Sequence, residues 1–223
     1  MAIDLTFLGH SGFLISDGTY QVAIDPFLTG NPVAKQKPLD IECQYIALTH
    51  GHLDHFGDTI EIAKHNQATV VAAFETCEYC SEQGLDKLEP GNPGGRVYTD
   101  FGYVAFTPAF HSSSLNGRYM GPPCGLILSI GGAKFYHCGD TALFSDMKLI
   151  GEIAKPDIAA IPVGGRFTMT PRLGKMAAEF IQPKIAVPIH YATFPLLASD
   201  ISDFAPVGIE VKPMEPGEVW HYG

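Results

Sequence analysis

Residues 50–55, with the sequence HGHLDH, place four potential metal ligands within six positions: His50, His52, Asp54 and His55. An isolated histidine is more often a core or surface residue than a ligand. Crowding of this kind is costly, because the imidazoles repel one another when protonated and lose hydration when buried. A divalent cation bound between these side chains replaces the repulsion and the lost hydration with attractive contacts, so the same crowding favours metal binding. Imidazole and carboxylate donors at this spacing suit Zn²⁺ or a neighbouring transition metal, so the segment predicts a metal site.

Short apolar runs separated by Gly, Pro and Asn predict the strands that must position this segment. In the first half of the chain, strands are expected at residues 3–8, 13–16, 20–24, 45–49 and 69–73, helices at 58–65 and 75–83, and a proline-rich loop at 26–42. In the second half, strands are expected at residues 96–98, 103–110, 125–130, 134–137, 158–161 and 185–189, and helices at 144–154 and 171–181. Strands followed by alternating helices and strands indicate an α/β (α+β) sandwich with helices outside, formed by residues 1–223 as one domain.

Composition and charge exclude several classes of protein. The apolar content of 46% excludes intrinsic disorder, and the 24 Gly and 17 Pro exclude a coiled coil. The net charge of −10 argues against a nucleic-acid-binding surface, because phosphate contacts require Lys and Arg. No apolar run is long enough to span a bilayer, and the N-terminal MAIDLTF predicts a strand and not a signal peptide.

The cysteines indicate the redox state of the cellular compartment and not a metal or redox site. Five Cys at low density favour a reducing cytoplasm over a disulfide scaffold. Cys77 and Cys80 have the spacing of a zinc ribbon or a redox pair, but they lack a second pair and fall within a predicted helix. We therefore expect them to be core or surface residues.

Residues 49–55, THGHLDH, resemble the signature of the metallo-β-lactamase superfamily. Its remaining motifs have counterparts in the same order along the chain: Asp25 in AIDP, His111 after a predicted strand, Asp140 in CGDT, and His190 at the end of the strand at 185–189. The similarity runs from residue 3 to about residue 195. It implies a four-layer αβ/βα sandwich, with two mixed β-sheets inside and metals at one edge.

A closer resemblance is to the UPF0173 metal-dependent hydrolases, which are similar to the ascorbate-6-phosphate lactonases and the N-acyl-phosphatidylethanolamine phospholipases D. The segments that carry it are LGHSG (8–12), DPF (25–27), AFHSSS (109–114), HCGDT (137–141), FTM (167–169) and HYATFP (190–195). Two features depart from the family. Residues 90–95 read PGNPGG where an Asn-Ile-Gly-Gly form is usual, and Gly165 replaces an acidic residue found in some relatives. Both departures bear on substrate preference.

The superfamily scheme implies seven ligands: one metal held by His50, His52 and His111, a second held by Asp54, His55 and His190, and Asp140 bridging the two. Asp25 would support the metal loop. The expected catalytic residues are Asp54, Asp140 and His190. Two divalent transition-metal ions roughly 3.5–4 Å apart can share a hydroxide and lower its pKa toward about 7. Zn²⁺ is the expected cofactor, with Mn²⁺, Ni²⁺ and iron as alternatives.

The expected function is hydrolysis by the metal-bridging hydroxide, acting on a phosphodiester or on the lactone of a small phosphorylated molecule. Zinc β-lactamases commonly carry Arg at the position of His55 and Cys at that of Asp140, and flavodiiron oxidoreductases usually carry Glu at that of His52. The ligand set therefore resembles the dinuclear hydrolases. The alternatives are an iron-dependent oxidoreductase or dioxygenase of the same fold and a non-catalytic binding protein. The complete ligand set disfavours the non-catalytic protein.

Five further residues bear on the substrate. His10 either contacts the substrate or a metal ligand, or it caps the local backbone, whereas His137 is expected behind the ligands or in the core. Gly165 belongs to a glycine pair that forms either an anion-binding nest or a simple turn. Arg118 and Arg166 fall in loops expected to overhang the metals, where they bind phosphate or simply solvate the loops. The expected partner is a small anionic substrate, with no nucleic acid; the sequence leaves a homo-oligomer open.

Overall fold

The computed structural model describes residues 2–223, which form two seven-stranded β-sheets packed face to face with helices on the outer faces. The strands of the first sheet are β1 (Ile3–Gly9), β2 (Gly12–Ser16), β3 (Gln21–Ile24), β4 (Tyr45–Ala47), β5 (Thr69–Ala73), β6 (Leu88–Gly91) and β16 (Val219–Tyr222). Those of the second are β7 (Arg96–Thr99), β8 (Gly102–Pro108), β11 (Cys124–Ile130), β12 (Ala133–His137), β13 (Ile158–Pro162), β14 (Ile185–Ile189) and β15 (Glu210–Val211).

The remaining elements lie between these strands in the sequence. A small hairpin is formed by β9 (Ser114–Leu115) and β10 (Arg118–Tyr119). The α-helices are α1 (Leu53–Phe56), α2 (Thr59–Asn66), α3 (Phe74–Glu82), α4 (Met147–Ala154) and α5 (Pro171–Ile181), and a 3₁₀ helix spans Pro38–Asp40.

Both sheets are mixed. The order of the first is β16-β1-β2-β3-β4-β5-β6, antiparallel from β16 to β3 and parallel from β3 to β6. The order of the second is β15-β14-β13-β12-β11-β8-β7, parallel from β15 to β12 and antiparallel from there to β7. Parallel strands need crossover connections, and helices supply most of them. The fold class predicted from the sequence is confirmed.

Three apolar layers hold the elements together. The central layer lies between the sheets and includes Leu5, Phe13, Leu126 and Phe135. A second layer packs α2 and α3 on the outer face of the first sheet, and a third packs α4 and α5 on the second. Burial of apolar surface stabilises each contact by roughly 25 cal/mol per Å². The layers fix the loops at the strand ends, because those loops join elements that cannot shift independently.

Most element boundaries follow the sequence expectations, and the exceptions have physical causes. Helix α5 spans the predicted residues, whereas α4 begins at Met147 and not at residue 144. Phe144 instead packs its ring against Phe110, with the two centroids 5.1 Å apart. Strand β4 ends at Ala47, two residues early, because the backbone N–H of Thr49 donates to the side chain of Asp25. The sequence did not predict strands β6, β9, β10, β15 or β16.

Candidate metal centre

The HGHLDH segment and the other candidate ligands meet at one end of the sandwich, in loops that follow strands of both sheets. Asp25 follows β3 and His50 follows β4 in the first sheet. Asp140 follows β12 and His190 follows β14 in the second. Since each of these loops leaves the carboxyl end of a strand in the parallel part of its sheet, they converge on one crevice.

His50, His52 and His111 form a first cluster, in which one potential ligand atom of each residue lies within 4.8 Å of the others. The Nε2 atom of His50 is 2.9 Å from the Nδ1 atom of His52. His111 comes from the loop after β8, and its ring centroid lies 5.2 Å from that of His50 and 5.0 Å from that of His52. Three imidazoles that converge in this way match a common donor set for a catalytic Zn²⁺.

Asp54, His55 and His190 form a second cluster, which also includes His10. Asp54 and His55 lie in α1, a single helical turn that begins immediately after His52. His190 Nε2 is 3.7 Å from Asp54 Oδ2, and the rings of His190 and His55 stack with centroids 5.8 Å apart. The second cluster therefore combines imidazole with carboxylate, a donor set that zinc and its neighbours also accept.

The Asp140 carboxylate lies between the two clusters. Its Oδ1 atom is 3.3 Å from His55 Nε2, and its Oδ2 atom is 3.0 Å from His190 Nε2 in the second cluster. The same Oδ2 atom is 3.5 Å from His111 Nε2 in the first cluster. Asp140 therefore lies within 3.5 Å of candidate ligands of both clusters, and its bridging role stays a prediction.

Two buried atoms at this point indicate that the arrangement fits a cation. His55 Nε2 and Asp140 Oδ1 are both inaccessible to water, and neither makes a hydrogen bond within residues 2–223. Buried polar atoms without partners are rare, because each costs about 1–3 kcal/mol of desolvation. A metal ion coordinated by the nitrogen and the oxygen would remove that cost. The grouped imidazole and carboxylate donors and this pair of unpartnered atoms therefore fit a bound divalent cation.

Asp25, which is fully buried, sets the proton positions of two candidate ligands. Its carboxylate accepts a hydrogen bond from Thr49 Oγ1 at 2.6 Å and another from His55 Nδ1 at 2.7 Å. Because the Thr49 hydroxyl proton goes to Asp25, Thr49 Oγ1 accepts from His50 Nδ1, 3.0 Å away. Both imidazoles therefore keep a proton on Nδ1, which leaves Nε2 as the ring nitrogen that faces the cluster and can bind a metal.

Two serines beside His111 support the first cluster in a way that the sequence analysis did not anticipate. Ser113 Oγ accepts a hydrogen bond from the backbone N–H of Gly51, at 3.1 Å, and Ser112 Oγ lies 3.3 Å from His52 Nε2. The two serines thereby connect the loop that carries His50 and His52 to the loop that carries His111. Their position next to a candidate ligand is the signal that could have revealed this role.

The two clusters differ in charge when no cation is bound. Burial lowers the pKa of His50, His52 and His111, so the first cluster favours the neutral imidazoles that metals bind. Burial opposes a charge on His190 as well, but the Asp140 carboxylate outweighs it and raises the pKa of His190 to about 9. A metal that enters the second cluster must therefore replace a proton.

The other candidate histidine and cysteines lie outside the clusters. His137 is buried, and its Nε2 donates to the carbonyl of Ser11, while its Nδ1 accepts from the backbone N–H of Gly139. It thus ties the second sheet to the β1–β2 turn, as a core residue. Cys77 and Cys80 are buried in α3, where burial raises the pKa of each thiol to about 12. Such thiols are unreactive at neutral pH.

The candidate substrate residues Arg118, Gly165 and Arg166 differ in whether they are available to contact a substrate. The Arg118 guanidinium forms an ion pair with Glu82 at the C-terminal end of α3, so it does not project freely over the clusters. The backbone N–H of Gly165 donates to the carbonyl of Met169, so the glycine pair forms a turn and does not present that donor to an anion. Arg166 is exposed, and its guanidinium lies 5.5 Å from the centroid of the Phe167 ring.

Comparisons with known proteins show the family of the chain. A model of the Beta-lactamase superfamily domain matches residues 4–190. A UPF0173 metal-dependent hydrolase of Carboxydothermus hydrogenoformans is 45% identical over 222 residues, which cover 96% of this chain and 98% of the relative. The chain belongs to the UPF0173 family of metal-dependent hydrolases. A UPF0173 hydrolase of Staphylococcus carnosus is 47% identical over 223 residues, with 96% of this chain and 97% of the relative covered.

A solved structure of a metallo hydrolase supports the fold. Igni18, a metallo hydrolase from the archaeon Ignicoccus hospitalis, superposes with a TM-score of 0.91 at 33% identity, and the match covers 100% of this chain and 99% of that one. This UPF0173 chain is therefore a metal-dependent hydrolase of the metallo-β-lactamase fold. Within residues 2–223, no helix combines the length and the apolar character needed to cross a bilayer.

The contact between Gly164 and His190 provides a test of how the second cluster is held. A Cβ atom on Gly164 would lie 1.9 Å from the backbone oxygen of His190. We expect Gly164→Ala to displace His190, to lower the free energy of unfolding by about 1–3 kcal/mol and to reduce metal content. The measurements are thermal unfolding and elemental analysis.

Gly165→Ala is the matched control for this test. Gly165 has φ +69°, but its added Cβ would meet no atom closer than 3.9 Å, the Cγ2 of Thr170. We expect only the left-handed strain, about 1 kcal/mol, with metal content unchanged. Equal metal content in Gly164→Ala and Gly165→Ala would contradict the idea that Gly164 positions His190.

The raised pKa of His190 predicts how metal binding depends on pH. Between pH 6.5 and about 9, this imidazole is mostly protonated in the metal-free protein, and the cation must displace the proton. We expect affinity for Zn²⁺ to increase with pH across that range, by up to roughly tenfold per pH unit for each proton displaced. Competition with a chelator of known pH dependence measures it. An affinity that stays constant over the range would be inconsistent with a protonated His190.

Proposed function

We propose that this hydrolase uses a dinuclear metal centre to cleave a phosphodiester, or the lactone of a small phosphorylated molecule. The observation that carries the proposal is the position of Asp140, whose carboxylate lies 3.0–3.5 Å from His55 and His190 on one side and from His111 on the other. A single metal would need only one of the two clusters. A carboxylate shared between both is the arrangement expected for a pair of ions.

The hydrogen bonds within the chain orient two candidate ligands without a bound metal. Asp25 and Thr49 hold the protons of His50 and His55 on the nitrogens that face away from the clusters. Ions in these clusters would supply Lewis acidity and a water activated near neutral pH. Zn²⁺ suits the nitrogen-rich first cluster best, and an all-histidine first cluster favours hydrolysis over oxygen chemistry.

Exposure indicates the side from which the substrate enters. The side chains of His50, His55 and Asp140 are buried, whereas the side chain of Asp54 is 33% exposed and that of His111 is 14% exposed. Water and substrate can therefore reach the centre past Asp54 and His111. On the opposite side, Asp25 and its hydrogen-bond partners Thr49 and His55 close the centre and exclude water from the buried ligands.

Arg166 is our proposed contact for an anionic substrate. It lies two residues after Gly164, which packs directly against the backbone of His190, and its side chain is exposed. A guanidinium near the crevice would attract phosphate even though the protein as a whole is acidic. Arg118 is excluded from this role by its pairing with Glu82.

Metal content and the variant Asp140→Asn test the dinuclear centre together. We expect two divalent ions per chain in the reconstituted protein, and a loss of activity of at least ~10²-fold in Asp140→Asn, because an amide cannot offer an anionic oxygen to both ions. Elemental analysis and turnover of bis-p-nitrophenyl phosphate measure the two effects. Saturation with one ion, or near-normal turnover in Asp140→Asn with two ions retained, would contradict the proposal.

The proposed contact between Arg166 and an anionic substrate is tested by Arg166→Met, with Arg118→Met as the matched control. We expect Arg166→Met to raise KM for the anionic bis-p-nitrophenyl phosphate and to leave KM for a neutral lactone unchanged. Arg118→Met should alter neither value, because its guanidinium is already paired with Glu82. Equal effects of Arg166→Met on both substrates, or an equal effect of the two variants on the phosphodiester, would remove Arg166 from the substrate site.

A further inference from the structure

His10 occupies the tight turn between β1 and β2, at the back of the second cluster. It is 2% exposed and adopts a left-handed backbone conformation, with φ +58°. Its carbonyl accepts a hydrogen bond from the backbone N–H of His190 at 2.7 Å, and the two imidazole centroids are 4.1 Å apart. The residue is therefore in direct contact with one candidate ligand through both its backbone and its ring.

Both ring nitrogens of His10 make further contacts. The Nε2 atom lies 3.1 Å from Asp54 Oδ2, and the Nδ1 atom lies 3.0 Å from Thr193 Oγ1. A carboxylate can only accept hydrogen bonds, so the proton of a neutral His10 must be on Nε2. Nδ1 then accepts from the Thr193 hydroxyl. That hydroxyl also lies 3.2 Å from the carbonyl of Tyr191, the longer of its two contacts.

We propose that His10 is a positioning residue of the second metal site, which holds Asp54 in its ligating orientation by donating the Nε2 proton to Oδ2. The inference rests on the dinuclear centre proposed above. Hydrogen bonds to the carboxylates and imidazoles that bind a metal typically change its affinity by about 10–100-fold. His10 makes such a bond to Asp54 and also fixes the backbone of His190, so it joins two candidate ligands of one ion.

A role as a ligand fits less well. Asp54, His55, His190 and Asp140 already give the second ion four protein donors, the number that zinc commonly takes. A fifth protein donor would leave no position for water or substrate, even at an ion that expands to five-coordinate during catalysis. The Thr193 contact also holds the ring so that its proton points to Asp54, which suits a donor and not a ligand.

Two substitutions at position 10 separate this role from ligation and from structural support. The amide nitrogen of Gln extends about as far as Nε2 of His, so His10→Gln can still donate to Asp54. The shorter amide of Asn reaches only the position of Nδ1, so His10→Asn loses the Asp54 contact. Backbone preference runs the other way, since Asn tolerates φ +58° better than Gln.

The experiment is a stepwise titration of the metal-free protein with Zn²⁺ against a competing chelator, combined with thermal unfolding of the same samples. We expect His10→Asn to weaken the second binding step by about 10–100-fold, and His10→Gln to remain within roughly threefold of the wild type. The first step should be unchanged in both variants. Thr193→Val leaves the His10 ring in place but removes the hydroxyl that donates to its Nδ1. This variant should therefore weaken the second binding step as well.

Each alternative gives a different result. If His10 were a ligand, Gln and Asn would weaken the second step equally. If it were only structural, metal affinity would follow stability and His10→Asn would bind at least as well as His10→Gln. A second step in His10→Asn equal to that of the wild type would also overturn the role. Uptake of one ion by the wild type would refute the dinuclear centre, and this role with it.

Discussion

The Asp25 carboxylate, buried where the first parallel strands end, is the interaction on which the candidate metal centre depends. It takes hydrogen bonds from the amide and hydroxyl of Thr49 and from His55 Nδ1, so one side chain orients the loop between β4 and α1. Burial alone would raise the pKa of Asp25, but the positive charge on His55 holds it below its ordinary value. The carboxylate is stable as an anion in the core because three hydrogen-bond donors are directed at it.

The backbone is strained at three residues of this arrangement. Asp25, His10 and His190 all adopt left-handed conformations, with φ between +46° and +59°, which non-glycine residues rarely do. Strain of this kind is stored at functional sites when the surrounding structure over-determines it. Here the hydrogen bonds of Asp25 and the contact between the His10 carbonyl and the His190 amide supply that constraint.

The sequence predicts those parts of the centre that are local in the chain. His50, His52, Asp54 and His55 lie within six residues, so their crowding is visible without any structure. The parallel core strands are also predictable, because their apolar runs are continuous. The partnership of His10 with Thr193 joins residues 183 positions apart, and no spacing rule indicates it. Strand β16 was missed for a similar reason: its alternation of exposed and half-buried residues is weak, and pairing with β1 defines it.

The division of the centre between two sheets has a consequence for folding. The first sheet and its loops, up to residue 91, carry His50, His52, Asp54 and His55 together with the Asp25 network. His111, Asp140 and His190 belong to the second sheet and its loops. A chain in which only the first sheet had formed would hold only part of each candidate cluster and would lack the Asp140 carboxylate. Metal binding at these clusters would therefore stabilise the docked arrangement of the two sheets, as ligands that bind only the native state do.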